Sequence, residues 1–151
     1  KIILNSLIFF CLIALIFAYF VEFVLGHEPC NLCKIERIPY IGSIILISFL
    51  IFTSKWEKII LSIILLLFIF GSVTSIYHVG IEQGIISESL LCELGLNTNI
   101  QNSDDLLKSL EKTPISCKDV TFRIFGLSLA TFNAFLSIVI SYIILKLVIK
   151  K

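Results

Sequence analysis

Charged residues are scarce in this sequence. Asp, Glu, Lys and Arg make up 15% of the 151 residues, whereas hydrophobic residues make up 58% and the mean hydropathy is +1.04. In a soluble domain roughly half of the residues are apolar, and polar residues cover the surface. Here the polar residues are confined to a few short segments. The composition therefore excludes a water-soluble domain and predicts a membrane protein.

The sequence also lacks the alternation of polar and apolar residues that a membrane β-barrel requires. It has instead four continuous apolar runs, at about residues 2–25, 38–53, 59–79 and 125–149. A helix of about 20 residues crosses roughly 30 Å of hydrocarbon, and the second run reaches that length only if the preceding turn is helical. Because backbone groups find no water in the bilayer core, we predict an all-α fold, a four-helix transmembrane bundle that forms a single membrane domain.

No internal repeat and no soluble second domain interrupts this pattern. The first apolar run is too long for a signal peptide, so we expect a retained helix, and because Lys1 stands where a methionine would start the chain we expect residues upstream. Outer loops are predicted at about residues 26–37 and 80–122. Within the second loop, residues 103–112 predict a short amphipathic helix that lies on the bilayer surface or packs on the bundle.

The distribution of lysine predicts the orientation of the bundle. One side, formed by the terminal tails and a tight turn, carries Lys1, Lys55, Lys58, Lys146, Lys150 and Lys151. The long loop on the other side carries seven acidic residues and three lysines. We therefore predict that both termini are cytoplasmic and that the loops face outward, which in bacteria means the periplasm or the cell exterior.

Cysteine supplies the chemistry. Cys11 lies alone in the middle of the first span and is predicted to behave as a small hydrophobe. The other four, Cys30, Cys33, Cys92 and Cys117, map to the outer side, where disulfides persist. Structural disulfides, a zinc site and redox exchange compete to explain them. A C-x-x-C disulfide constrains little chain entropy, and zinc sites usually use two close-spaced pairs, so we favour redox chemistry and assign no metal ligand.

The segment around the first pair combines features that activate a thiol. If the second helix starts at Pro29, Cys30 and Cys33 lie in its first turn, where the helix dipole favours thiolate. Arg37 would follow one turn below Cys33 as a permanent cation, although a residue that snorkels to the headgroups would show the same pattern. Pro39 is predicted to kink the helix and admit a small acceptor. At a membrane edge, the nearest abundant acceptor of two electrons is a lipid-soluble quinone.

Four further polar residues lie in or near the spans. Glu22 is interpreted as a solvated residue at the end of the first helix, and Asn133 as an interhelical hydrogen-bonding residue in the fourth. His78 and Glu82 are four residues apart. We interpret them either as a capping pair at the membrane interface or as functional groups.

Three stretches resemble the disulfide bond formation protein B (DsbB) family, membrane oxidants that regenerate the periplasmic thiol oxidase DsbA and use quinone. They are PCNLCKIER at 29–37, YHVGIEQG at 77–84 and ISCKDVTFRIFGLSLATFNAF at 115–135. The resemblance implies a quinone-dependent protein-thiol oxidoreductase of the bacterial inner membrane. Ubiquinone or menaquinone would be its cofactor and a periplasmic DsbA-like thioredoxin-fold protein its partner, with no nucleic acid involved.

The resemblance also implies roles for the four outer cysteines. Cys30 and Cys33 match the pair at the membrane edge, with Cys33 the thiolate that lies against the quinone. Cys92 and Cys117 match the disulfide of the loop, with Cys92 the sulfur that the partner attacks. Electrons would pass from the loop pair to the membrane-edge pair and then to quinone.

Three more residues are implied on the quinone side. Arg37 matches the arginine that supports the quinone and stabilises the Cys33 thiolate, and His78 matches a quinone-proximal histidine. Glu36 stands where relatives often carry Gln or Glu.

Two alternatives remain. A vitamin K epoxide reductase-like protein also combines C-x-x-C with a helical bundle and quinone, but its motif is expected in the last helices. The other is a structural membrane protein whose outer loop is only cross-linked by a disulfide, and such a protein would show no thiol turnover with quinone.

Overall fold

The computed structural model describes residues 2–52, 56–87, 117–118, 123–124 and 126–150. Its helices are α1 (Ile2–Phe23), α2 (Asn31–Ile35), α3 (Ile38–Phe52), α4 (Glu57–Glu82) and α5 (Leu129–Lys150), and a short antiparallel hairpin, β1 (Arg123–Ile124) and β2 (Leu127–Ser128), precedes α5. The predicted all-α fold is confirmed. Cys92 and the helix predicted at 103–112 lie outside the described residues.

Four of these helices form the bundle. α1, α4 and α5 are each long and apolar enough to cross a membrane. α3 has 15 residues, which at 1.5 Å per residue gives about 22 Å, so it approaches the required length only together with α2. α4 contacts both α3 and α5, and α1 contacts α3. Large apolar side chains such as Phe9, Leu66 and Phe135 remain exposed, as expected of a surface that faces lipid.

The second helix starts later than the sequence suggested. Its first residue is Asn31, and Cys30 is the N-cap, with an extended backbone (φ −65°, ψ 169°). The Cys33 N–H donates to the Cys30 sulfur at 3.3 Å. The prediction that Pro29 occupies the first helical position is wrong, because Cys30 follows it and supplies the acceptor that the open N–H groups of the first turn need.

Glu36 and Arg37 separate α2 from α3. The Glu36 N–H still donates to the carbonyl of Leu32 at 2.9 Å, so the chain keeps a nearly helical course. Pro39 has no N–H to donate to the carbonyl of Ile35, where the regular ladder would continue. The effect of the proline is therefore an interruption at Glu36–Arg37, just before it.

α4 extends to Glu82, beyond the predicted end of the span at residue 79. Gly84 then adopts a left-handed conformation (φ 72°), and its N–H donates to the carbonyl of Ile81 at 2.9 Å. A glycine in this conformation is a common helix C-cap. The extra turn keeps His78 and Glu82 on the helix, with His78 well inside it.

α5 starts at Leu129 rather than at the predicted residue 125, because the hairpin occupies the first part of that apolar run. Gly126, in the turn of the hairpin, has a φ of 83°. The Ser128 side chain then accepts a hydrogen bond from the Thr131 N–H at 3.2 Å and caps the helix.

Three helices meet at Gly71 of α4. A β-carbon on this residue would lie 3.0 Å from Cγ of Pro39 in α3 and 3.6 Å from Oγ of Ser137 in α5. Small residues allow helices to approach closely in lipid, where packing rather than a hydrophobic force holds them together. Gly71 therefore brings α3, and with it the C-x-x-C motif, against α4.

Candidate active site

The two cysteines of the C-x-x-C motif lie at the start of α2. Their sulfur atoms are 2.7 Å apart, and both are free thiols. Cys30 is 7% exposed, whereas Cys33 is only half-buried. Cys30 is therefore the more enclosed residue of the pair.

Hydrogen bonds concentrate negative charge on Cys30. The bond with Cys33 lowers the pKa of Cys30, burial opposes this, and the bond and charge of His78 lower it further, to about 5. The bond with Cys30 raises the pKa of Cys33, and burial and the negative charges of Cys30 and Glu36 add to that rise. The reduced pair thus loses its first proton readily, from Cys30. The family resemblance implies a thiolate at Cys33. Because the hydrogen bond with Cys30 raises the pKa of Cys33, that thiolate requires the Cys30 sulfur to be in a covalent bond with another group.

His78, from α4, connects this pair to a carboxylate. Its Nε2 lies 3.5 Å from the Cys30 sulfur, and its Nδ1 lies 2.9 Å from Oε1 of Glu36. A carboxylate only accepts hydrogen bonds, so Nδ1 carries a proton and donates it. Nε2 faces the sulfur, where it can accept the thiol proton or, once protonated, donate to the thiolate.

His78 lies farther from Glu82 than from Glu36. The Glu82 carboxylate lies 3.7 Å from His78 Nε2, beyond hydrogen-bond distance. The imidazole is 3% exposed and is bonded to Glu36 across the helix contact. The interpretation of His78 and Glu82 as an interfacial pair stays a prediction, since Glu82 lies within ion-pair distance, but the hydrogen-bonded partners of His78 are Glu36 and Cys30.

A polar network from three helices holds Glu36. Asn133 of α5 donates to Oε2 of Glu36 at 2.9 Å and to Oγ of Ser75 in α4 at 2.7 Å. The Tyr40 hydroxyl of α3 donates to Oδ1 of Asn133 at 2.5 Å. The interhelical role predicted for Asn133 is confirmed. Both oxygens of Glu36 are bonded, so the carboxylate that orients His78 is itself fixed.

Cys117 reaches the same place from the loop. It is 2% exposed and disulfide-bonded. Its sulfur, the Cys30 sulfur and a ring nitrogen of His78 all lie within 4.8 Å of one another, and Ile81 packs in the same cluster. Cys92 lies outside the described residues, so the pairing of Cys92 with Cys117 stays a prediction.

Arg37 faces α1. Its Nη1 donates to Oε2 of Glu22 at 2.5 Å, and its guanidinium carbon lies 4.7 Å from the centre of the Tyr19 ring. The two charged side chains are 14% and 21% exposed. The interpretation of Glu22 as a solvated residue is wrong, because it is drawn into this ion pair. The role of Arg37 at the quinone stays a prediction.

Glu22 and Tyr19 were not expected in the site from the sequence. A signal for Glu22 was present, since an acidic residue in an apolar span is costly unless it is paired, and Arg37 is a cation at the same membrane edge. Tyr19 gave no comparable signal, because aromatic residues are common at membrane interfaces.

The sequence profile described as disulfide bond formation protein DsbB matches residues 1–147 of the chain. An uncharacterized protein of Rickettsia prowazekii (strain Madrid E) is 30% identical over an alignment that covers 91% of this chain and 81% of that protein. No solved structure matches the chain. The profile match includes the C-x-x-C motif, the Glu36–His78–Asn133 network and most of α5.

Proposed function

The chain belongs to the DsbB family of disulfide bond formation proteins, and we propose that it reoxidises a periplasmic DsbA-like thiol oxidase and passes the electrons through two cysteine pairs to a membrane quinone. Family membership makes it a membrane thiol oxidoreductase that forms disulfides. The observation that carries the finer proposal is a convergence of three sulfurs. Cys117 approaches Cys30, and Cys30 contacts Cys33.

The exchanges balance at each step. A thiolate of the reduced partner attacks Cys92 in the Cys92–Cys117 disulfide, forms a mixed disulfide with Cys92 and releases Cys117 as a thiolate. The second partner thiol then attacks the partner sulfur of that mixed disulfide, which completes the partner's own disulfide and releases Cys92 as a thiolate. The Cys117 thiolate attacks Cys30 in the Cys30–Cys33 disulfide and releases Cys33. Attack of Cys92 on Cys117 then restores the loop disulfide and frees Cys30. Two electrons have moved from the partner to the membrane-edge pair.

This order of steps explains how Cys33, and not Cys30, can carry the negative charge during the exchange. While Cys30 is bonded to Cys117, it no longer makes the hydrogen bond that raises the pKa of Cys33. Cys33 is also the more exposed residue of the pair. Both facts support Cys33 as the sulfur that delivers electrons outward.

His78 handles the proton of Cys30 in this scheme. When Cys30 is released as a thiolate, an imidazolium at 3.5 Å stabilises the charge, and the neutral ring can take up the proton of a Cys30 thiol. Glu36 fixes the Nδ1 proton and therefore the direction of Nε2. We assign His78 to proton transfer and Glu36 to its positioning.

When bound, a quinone supplies an acceptor for two electrons and two protons. Side chains near Arg37 fit such a group. The guanidinium can donate to a carbonyl oxygen, and Tyr19 and the exposed Phe23 stack with ring centres 6.0 Å apart, so they offer a flat apolar surface beside it. We propose that Arg37 binds ubiquinone or menaquinone there, close to Cys33.

The distribution of lysine supports the proposed orientation of the protein in the membrane. With the lysine-rich tails in the cytoplasm, the start of α2 and the long loop face the periplasm of a bacterial inner-membrane protein. The membrane-edge pair then meets a lipid-borne acceptor, and the loop pair meets a water-borne partner.

The test is oxidation of a reduced DsbA-like protein by the purified chain in detergent, with and without added quinone. We expect turnover that requires quinone and that is lost when Cys33 is replaced by Ala. A partner that stays reduced in the presence of quinone would instead favour a membrane protein whose outer loop is merely stapled.

A further inference from the structure

Three side chains of metal-binding types converge where the loop meets the C-x-x-C motif. The donor atoms of Cys30, His78 and Cys117 lie within 4.8 Å of one another, and all three residues are buried. Cys33 adds a fourth donor, 2.7 Å from Cys30. We propose that the fully reduced protein binds one Zn²⁺ ion through Cys30, Cys33, His78 and Cys117. This site uses sulfurs of the proposed electron relay, but binding of the ion requires no electron transfer through them.

The distance between the Cys30 sulfur and His78 Nε2 suits a tetrahedral ion, and the other sulfurs lie near enough to reach it after small movements. Zn–S bonds of about 2.3 Å and Zn–N bonds of about 2.0 Å place neighbouring donors roughly 3.5–3.8 Å apart. The Cys30 sulfur and His78 Nε2 already lie 3.5 Å apart. The sulfurs of Cys30 and Cys33 would separate by about 1 Å from their present contact to reach that spacing. Cys33 is only half-buried, so it has room to move.

The histidine is oriented as a metal ligand requires. Zinc-binding histidines usually donate their second ring N–H to a carboxylate, which fixes the tautomer and the direction of the ligand nitrogen. Here Glu36 accepts from Nδ1 at 2.9 Å and is held on its other oxygen by Asn133 at 2.9 Å. Nε2 is thereby directed at the Cys30 sulfur.

Binding would depend on the redox state of the protein without transferring electrons. Cys117 is disulfide-bonded in this structure and becomes a thiolate ligand only after reduction by the thiol partner or an added reductant. Zn²⁺ then displaces the remaining thiol protons. Because the ion binds the reduced form alone, it stabilises that form and competes with reoxidation of the sulfurs. Zinc would therefore act as a reversible inhibitor that traps the reduced protein.

The test uses Co²⁺ as a spectroscopic probe on purified protein in detergent, reduced with a phosphine that is then removed. We expect one Co²⁺ per chain, with the visible bands of a tetrahedral ion and sulfur-to-cobalt charge transfer, and displacement by Zn²⁺. Oxidised protein should give no such spectrum. Binding of equal strength to oxidised protein would overturn the proposal.

Variants assign the ligands. His78→Gln and Cys117→Ser should each lose the tetrahedral spectrum, and Glu36→Gln should bind about tenfold to hundredfold more weakly. Cys11→Ser is the matched control, since Cys11 is buried far along α1, and it should bind like the parent. Cys92→Ser frees Cys117 and should also bind. Loss of binding in Cys92→Ser, or its retention in both His78→Gln and Cys117→Ser, would show that the ligands are misassigned.

Circular dichroism checks that each variant keeps its helices, and the two independent ligand variants guard against misfolding of either one. The readout requires neither partner nor quinone. Protein that oxidises its partner but binds no Co²⁺ therefore contradicts this site alone, and protein that binds Co²⁺ without turnover contradicts the electron relay alone.

Discussion

Arg37 donates a 2.5 Å hydrogen bond to Glu22, and this ion pair joins the segment between α2 and α3 to the C-terminal end of α1. A guanidinium has five N–H donors, so it has further donors beyond the one that Glu22 receives. Its carbon also lies over the Tyr19 ring. The pairing fixes the position of the cation and leaves donors for a carbonyl group on the membrane side.

Replacing Arg37 should weaken quinone use in a graded way. Arg37→Lys keeps the charge but loses the planar donor fork, so we expect a partial rise in the apparent KM for quinone. Arg37→Met removes the charge, and a rise of about tenfold to hundredfold is expected from loss of a charged hydrogen bond. The measurement is quinone reduction by pre-reduced protein. Exchange with the thiol partner should change little in either variant.

The Met variant also leaves the partly buried Glu22 carboxylate unpaired. A double variant, Arg37→Met with Glu22→Gln, removes that stranded charge and should recover stability in thermal unfolding. Quinone use should stay impaired in the double variant. Recovery of both properties together would mean that Arg37 is only the structural partner of Glu22.

The reactivity of the membrane-edge pair should persist at low pH. In reduced protein with Cys92 and Cys117 replaced by Ser, the pKa of Cys30 near 5 predicts that alkylation by iodoacetamide falls to half near that pH, not near the ordinary value of 9.0. The thiolate is favoured in the folded state, so its contribution to stability is complete above pH 9.0 and is lost as the pH falls through about 5.

His78→Gln should move this alkylation midpoint upward, because the bond and charge of His78 help to lower the Cys30 pKa. Cys11→Ser is the control and should leave the midpoint in place. A midpoint near the ordinary thiol value in the parent protein would contradict the charge assigned to Cys30.

Mutations should distinguish the roles of the two cysteine pairs. Cys92→Ala should block electron entry from the partner but leave the reduced Cys30–Cys33 pair able to react with quinone. Cys33→Ala should stop quinone reduction altogether. Stopped-flow reduction of quinone by chemically reduced variants measures the difference, and equal, complete loss in both would argue against a relay with two stations.

The orientation can be tested in intact cells. After reduction, a membrane-impermeant maleimide should label Cys92 from outside, and the buried Cys117 should react more slowly. Labelling that appears only after the inner membrane is permeabilised would reverse the predicted topology and move the cysteines into a reducing compartment.

Packing at Gly71 should be intolerant of bulk. Gly71→Leu would press against Pro39 and Ser137 and should destabilise the bundle by about 1–3 kcal/mol, the usual cost of overpacking. Val73→Leu on the exposed face of the same helix is the control and should have little effect. Thermal unfolding in one detergent compares the two, and equal stability would show that α3 can shift away at no cost.

The helices were predictable because a backbone in lipid must satisfy its own hydrogen bonds, which a helix does, and because the length of each apolar run indicates the length of the helix. Their ends were less predictable. α5 begins late because Leu127 and Ser128 of its apolar run form a strand of the hairpin, and the second helix begins at Asn31 because a cysteine serves as its cap. Both boundaries depend on local hydrogen bonds that apolar composition does not record.

The site was predictable in its residues but not in its contacts. The C-x-x-C motif, His78 and Glu36 were named from sequence, yet the bond between His78 and Glu36 joins residues that are 42 positions apart. Arg37 was expected one turn below Cys33. The interruption before Pro39 allows it to face α1 instead, where it meets Glu22. Such pairings arise from the three-dimensional path of the chain, which a single sequence does not specify.

Because Cys30 is the N-cap of α2, the hydrogen bond at the start of this helix depends on the redox state of the cysteine pair. A thiolate accepts a backbone N–H bond more strongly than a neutral sulfur does, so the Cys33 amide is held most firmly when the pair is reduced and charged. Oxidation removes the negative charge from the Cys30 sulfur and so weakens this bond. Hydrogen exchange at the Cys33 amide is then expected to report the redox state of the pair.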